Sequence, residues 1–221
     1  MRKIIALVFI LSAFSMYAQN EEEETLFGSG DDVKFGLYAG PEFKLTSFNG
    51  ELGFMTGGKA GLILDRVFSI GGGGYNIVTN HKVYDSDEVD APWVDLDFSY
   101  GGIIFEYIND PNKLYHFTGS LLLGAGYASY SGDVYGFPED VDWYRKGATY
   151  FVAEPQINVD VNLIKYLRLG VGASYRFAVG GDLEKTSATD LSGVSLNLSI
   201  RAYVDDLNHI IKKIEKQVED L

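Results

Sequence analysis

The stretch Tyr150-Phe151-Val152-Ala153-Glu154-Pro155-Gln156-Ile157-Asn158-Val159-Asp160-Val161-Asn162-Leu163 alternates without a break between two kinds of side chain. Phe151, Ala153, Pro155, Ile157, Val159, Val161 and Leu163 share one face of an extended chain. Tyr150, Val152, Glu154, Gln156, Asn158, Asp160 and Asn162 share the other. Successive side chains of a strand point to opposite sides, so a period of two over this length signals a strand. The run exceeds the roughly 5 to 6 residues of an ordinary soluble strand. It also covers the roughly 9 to 11 residues that a tilted strand needs to cross a bilayer.

The same division recurs on both sides of this segment. Val33, Phe35, Leu37, Ala39, Pro41, Phe43 and Leu45 oppose Lys34, Gly36, Tyr38, Gly40, Glu42, Lys44 and Thr46. Leu167, Leu169, Val171, Ala173, Tyr175 and Phe177 oppose Arg168, Gly170, Gly172, Ser174 and Arg176. Val194, Leu196, Leu198, Ile200 and Ala202 oppose Ser195, Asn197, Ser199 and Arg201. Further strands read as 51–64, 67–79, 92–108 and 114–130, which makes eight; the one containing Gly71 to Gly74 alternates least cleanly. The fold class is all-β, an eight-stranded antiparallel barrel over residues 33–204.

Alternation by itself does not say which face is inside. A soluble barrel buries the apolar face, and a membrane barrel turns it to lipid. The polar faces here are rich in Gly, Ser and Asn, which suit a narrow lumen. The apolar faces run for ten or more residues and carry aromatics near their ends, such as Phe43, Phe151 and Phe177. The connections agree. The links at Asp65-Arg66, 109–113 and Ile164-Lys165 are short, whereas those at 80–91, 131–146 and 180–192 are long, as in a barrel with a periplasmic amino terminus. The remaining link, at Asn49-Gly50, is a short outer hairpin suited to a type I′ turn.

Composition supports strands and export. The chain carries 14 Phe, 15 Tyr, 26 Gly and no Cys. Phe and Tyr favour strands, and the absence of Cys excludes a disulfide framework. Arg2 and Lys3 precede an apolar run from Ile4 to Phe14 and then Ser15-Met16-Tyr17-Ala18-Gln19, the pattern of a signal peptide cleaved after Ala18. Residues 1–18 are therefore read as a leader and 19–32 as an acidic segment. The formal charge of −13 argues against nucleic acid as a partner, because phosphate binding needs clustered Lys and Arg. From 205 to 221 the apolar positions Leu207, Ile211, Ile214, Val218 and Leu221 advance by four, three, four and three, the spacing of a helical coiled-coil stripe. This tail is expected to be a periplasmic amphipathic helix that binds a periplasmic protein or a second copy.

Several short successions resemble small exported barrel proteins of Bacteroidota. They include Phe35-Gly36-Leu37-Tyr38-Ala39-Gly40-Pro41-Glu42-Phe43-Lys44, Asn49-Gly50-Glu51-Leu52-Gly53, Gly71-Gly72-Gly73-Gly74-Tyr75, Tyr100-Gly101-Gly102 and Leu123-Gly124-Ala125-Gly126. Val152-Ala153-Glu154-Pro155 and Leu169-Gly170-Val171-Gly172-Ala173-Ser174-Tyr175-Arg176-Phe177 join them. The resemblance spans nearly the whole barrel and implies an outer-membrane barrel of the OmpA or OmpX type, in a family mostly without assigned activity. Such chains usually stop at the last strand; this one continues from Asp205 to Leu221.

An eight-stranded barrel has room inside for side chains but not for an open pore. By parity Glu42, Lys44, Lys59, Asp95, Asp97, Glu154, Asp160, Arg168, Arg176 and Arg201 should point inward and satisfy one another, since unpaired buried charge is costly. Pro41 and Pro155, beside Glu42 and Glu154, suggest bulges. The outer loops hold Asp85, Asp87, Glu88 and Asp90 in one place. In another, Asp133, Glu139, Asp140 and Asp142 accompany Tyr135, Phe137, Trp143 and Tyr144. Acidic and aromatic residues together suit a surface ligand such as lipopolysaccharide, a glycan or an envelope protein. His81, His116 and His209 lie too far apart along the barrel to share one site. There is also no nucleophile motif, metal-spaced histidine pair, complete calcium loop or phosphate loop, so neither catalysis nor a cofactor is predicted. The sequence thus favours a structural or interaction protein of the outer membrane over a narrow ion or small-solute channel, and a channel over an enzyme.

Overall fold

A computed structural model of the protein describes residues 34–48, 50–79, 82–83, 94–131, 147–181, 183 and 186–204. The leader, the acidic segment, the helical tail and the acidic and aromatic residues of both long outer loops lie outside these residues, whereas Lys82–Val83 of the link read as 80–91 form a short strand. Eight long strands are present: β1 Phe35–Phe48, β2 Glu51–Leu64, β3 Phe68–Ile77, β5 Val94–Asn109, β6 Tyr115–Ser131, β7 Gly147–Ile164, β8 Leu167–Gly180 and β9 Gly193–Val204. A two-residue strand, β4 Lys82–Val83, pairs with the start of β5. One helical turn, α1 Ala188–Leu191, precedes β9. Every long strand pairs antiparallel with its sequence neighbours, and β1 with β9 and β3 with β5 complete the ring.

The registers fix the geometry of the ring. One hydrogen-bonded row starts at Phe117 on β6 and passes through Val159, Val171, Leu198, Phe43, Thr56, Asn76 and Ser99. It returns to β6 at Tyr127, ten residues further on. A shear of that size closes eight strands at a tilt of roughly 40°. Ten residues at this tilt rise about 25 Å, the height of the apolar band on an outer-membrane barrel.

Burial is inverted relative to a soluble protein. Ile157 is 68% exposed and Phe117 59%, whereas Glu42, Arg176 and Arg201 are at 0%. Large apolar side chains form the outer surface of all eight long strands, from Leu37 on β1 to Ile200 on β9. Tyr107, Tyr115, Phe117 and Tyr166 stand near the end that carries the short turns. Tyr127, Phe151 and Phe177 stand near the other end. These are the two aromatic girdles of a membrane barrel.

The short turns are held locally. Asp65 and Arg66 both take the left-handed region, with φ of 50° and 64°, and make the primed turn that a two-residue hairpin prefers. Non-glycine residues tolerate it here because the Lys34 amide donates to the Asp65 carboxylate at 3.0 Å. Pro41 and Pro155 do not create bulges. The ladder skips Gly40 and Pro41 against β9, and Glu154 and Pro155 against β8, but the register on either side is unchanged. Each proline's missing donor is absorbed by a two-residue gap in the ladder. The register shift falls instead between Asn162 and Ile164, beside the β7 to β8 turn.

Candidate functional site

The lumen gathers eight of the ten charged residues expected there. Glu42, Lys44, Lys59, Glu154, Asp160, Arg168, Arg176 and Arg201 are all buried. Asp95 and Asp97 are not inside. On β5 the inward residues are Leu96, Phe98, Tyr100, Ile104, Glu106 and Ile108, and Asp97 is exposed on the outer wall with Asp95 half-buried on the same side. The rule that the polar face turns inward fails on this strand because the interior near the long loops is packed with aromatics. Glu106, of the opposite parity on β5, was missed with it, and His116 on β6, also inside, was read only as a residue near a strand end.

The charges form two linked groups. In the upper one, the Lys44 ammonium donates to both oxygens of Glu154 at 2.8 and 2.9 Å and to the Tyr100 hydroxyl at 3.1 Å. It also sits 3.5 Å from the centre of the Tyr75 ring, whose hydroxyl donates to Glu42 at 3.1 Å. Ser174 donates to Glu154. In the lower group Lys59 meets Glu106 at 2.7 Å and Glu42 at 3.4 Å. Glu106 in turn accepts from Ser69 at 3.1 Å and faces Arg201 at 3.5 Å. Arg201 donates to Asp160, which also accepts from Thr118. Glu42 bridges the groups, 3.7 Å from Lys44. Each described carboxylate in the lumen therefore has a cation beside it, the condition for burying charge.

Arg168 and Arg201 are direct cross-strand partners, an arrangement that costs stability for like charges. Asp160 compensates Arg201, and the face of Tyr203 receives Arg168 at 3.8 Å. Arg176 differs from the others, because among the described residues no carboxylate pairs with it. Its guanidinium donates to the carbonyls of Leu191 at 2.6 Å and Ser47 at 3.4 Å and to the Thr46 hydroxyl at 3.3 Å. It lies 4.3 Å from the centre of the Phe48 ring. The lumen network is thus not composed of ion pairs throughout.

Both ends of the described lumen are closed. At the turn end Tyr38 and Tyr203 stack with centroids 5.8 Å apart beside Ile63. At the loop end Phe48, Met55, Phe98, Tyr150 and Val152 form an apolar deck, and Leu183 and Leu191 from the β8 to β9 connection drop into it. Tyr130 is hydrogen-bonded to the Thr186 hydroxyl at 2.5 Å, and Tyr150 donates to the Thr186 carbonyl at 3.3 Å. This connection folds inward as a plug whose last helical carbonyl is held by Arg176. Strand alternation carries no sign of it, since Leu183 and Leu191 sit in a segment read only as a long loop.

His116 is buried near the turn end with its Nε2 3.9 Å from Asp160. The nearby Thr118 hydroxyl is bonded to Asp160 instead, so the pair is not a nucleophile with its base. Among the described residues no group of three or more His, Cys, Asp or Glu is placed to hold a metal ion. His81 and His209, the loop residues Asp85, Asp87, Glu88, Asp90, Tyr135, Phe137, Trp143 and Tyr144, and the tail residues Leu207, Ile211, Ile214, Val218 and Leu221 lie outside the described residues.

No family model and no curated protein matches the sequence. Solved structures do match its fold. Neisserial surface protein A aligns over 79% of this chain and 99% of its own with a TM-score of 0.50 at 16% identity. Ail of Yersinia pestis aligns over 78% and 99% (TM-score 0.46, 13% identity), and OprG of Pseudomonas aeruginosa, an outer membrane protein, over 80% and 98% (0.46, 12%). Closed ring, inverted burial and paired girdles together make this chain an eight-stranded antiparallel β-barrel of the outer membrane.

Proposed function

We propose that the barrel is a closed scaffold that holds outer loops for contacts with the envelope surface, and that it does not conduct solutes. The observation that carries this reading is the lumen. Its carboxylates are each paired with a cation, Arg176 is held by carbonyls and a ring, Tyr38 and Tyr203 cover one end, and the Leu183 and Leu191 plug covers the other. A conducting file needs sites weak enough to release an ion, and a lumen closed at both ends, with a cation beside each described carboxylate, offers none. What remains free to act is the outer rim. There the segments 84–93 and 132–146 carry Asp85, Asp87, Glu88 and Asp90 and the aromatics Tyr135, Phe137, Trp143 and Tyr144. Aromatics beside carboxylates suit a saccharide or a basic protein surface, and lipopolysaccharide is the most abundant candidate ligand at that height. On the periplasmic side the tail residues Leu207, Ile211, Ile214, Val218 and Leu221 offer a stripe for a periplasmic protein or a second copy. Binding of fluorescent lipopolysaccharide to the reconstituted barrel tests the loop reading. Exchange of segments 84–93 and 132–146 for Gly-Ser linkers should abolish binding, and binding unchanged by both exchanges would reject it.

A further inference from the structure

The outer wall of the barrel is not uniform. The hydrogen-bonded row climbs as it circles the wall, from Phe117 near the short turns to Tyr127 near the loops; it is apolar in its lower part, as Val159, Val171, Leu198 and Phe43, and polar in its upper part, as Thr56, Asn76, Ser99, Tyr127 and Thr149. No hydrogen bond joins the Asn76, Ser99 or Thr149 side chain to another described residue. Tyr127 marks the outer girdle, so the polar part of the row lies where lipid headgroups begin. Asp97 stands one step further out along β5, exposed on the same face. Two residues inward along each strand, about 5 Å deeper, the parallel row is Gly74, Gly101 and Ala125. Their small side chains leave the backbone of β3, β5 and β6 bare and form the floor of a furrow of about 510 Å³ with Asn76, Ser99, Tyr127 and Thr149 along its rim. A second hollow of about 210 Å³ shares Asn76, Ser99 and Tyr127 with it and runs on to Asp97.

We propose that this furrow is a glycolipid site on the outer-leaflet side of the wall. An acyl chain lies over Gly74, Gly101 and Ala125, and the first sugar of the headgroup lies on the rim. The furrow divides along its length as a lipid does, apolar toward the membrane centre and hydrogen-bonding at the interface. Its polar groups suit a sugar. An amide, a carboxylate and hydroxyls offer both donors and acceptors to ring hydroxyls, and the half-exposed Tyr127 ring offers an apolar face. Charge argues against a phosphate headgroup, because Asp97 stands exposed on this face and no Lys or Arg among the described side chains does. The proposal rests on the outer-membrane location but not on the loops.

The test uses the full chain in lipid nanodiscs, exchanged against either a phosphate-free diacyl disaccharide lipid or phosphatidylglycerol with the same chains. Lipid retained in mild detergent is counted by native mass spectrometry. One glycolipid per barrel should be retained, with phosphatidylglycerol about tenfold weaker. A Cβ at Gly74 would meet nothing closer than the Tyr100 carbonyl at 3.5 Å, so Gly74→Leu enters the furrow without straining the backbone at that position. Gly74→Leu, and separately Asn76→Leu with Ser99→Val, should each lower retention about tenfold, the effect of losing one or two good contacts. Val171→Leu on the opposite wall should not. Exchange of segments 84–93 and 132–146 should leave retention unchanged, which separates this site from the loop reading. Equal retention of both lipids, or wild-type retention by both furrow variants, would overturn the proposal.

Discussion

At the scale of single residues, the lumen shows why partners matter more than charges. Glu106 holds Lys59 at 2.7 Å and faces Arg201 at 3.5 Å, all three side chains being out of contact with solvent. Glu106→Gln should therefore cost about 3 kcal/mol, because two buried cations lose a counter-charge while their desolvation remains. Replacing both partners, Lys59→Met with Glu106→Leu, should recover most of that loss, since Arg201 keeps Asp160. Urea unfolding in lipid vesicles measures both. A double variant as weak as the single one would show that the ion pair itself, and not the relief of unpaired charge, stabilises the wall. Arg176 obeys a different rule. It is pinned to the carbonyls of Leu191 and Ser47 and to aromatic faces, so Arg176→Ala should loosen the plug and lower stability by about 2 kcal/mol. Proteolysis at the β8 to β9 connection should quicken in parallel, and an unchanged cleavage rate would free the plug from Arg176.

At the scale of elements, the strands were legible where one face was uniformly polar. β1, β7, β8 and β9 place inward the residues that alternation assigns, Glu42 and Lys44, Glu154 and Asp160, Arg168 and Arg176, and Arg201. On β5 two signals conflict. Asp95 and Asp97 share parity with Ile103, Phe105 and Tyr107, while Glu106 shares parity with Leu96, Phe98 and Tyr100. Both sets cannot be correct under a polar-in rule. The conflict resolves by depth, since the odd residues face lipid in the middle of the membrane and Asp97 reaches the headgroup level on the same side. Proline was misleading in another way, because Pro41 and Pro155 remove pairings without moving the register. The tail remains a proposal from spacing alone. Deleting residues 205–221 should leave the barrel inserted yet remove one specific crosslinked association. An unchanged crosslinking pattern, with Ile211→Asp and Ile214→Asp equally silent, would reduce the tail to an extension without a partner.

At the scale of the whole molecule, a shear of ten and eight strands leave an interior that side chains can fill, and the sequence fills it in layers. Tyr38 and Tyr203 lie at the turn end, then the Lys59, Glu106, Arg201 and Asp160 group. Lys44 with Glu154 follows, and last the aromatic deck with Leu183 and Leu191. The layering was invisible to a reading of one strand at a time, because each layer draws residues from strands far apart in sequence. It is also what separates a scaffold from a pore on the same fold. Single-channel recording of the purified full chain in planar bilayers tests that distinction most directly. The sealed lumen predicts a baseline no different from protein-free membrane, and discrete, reproducible conductance steps would contradict it.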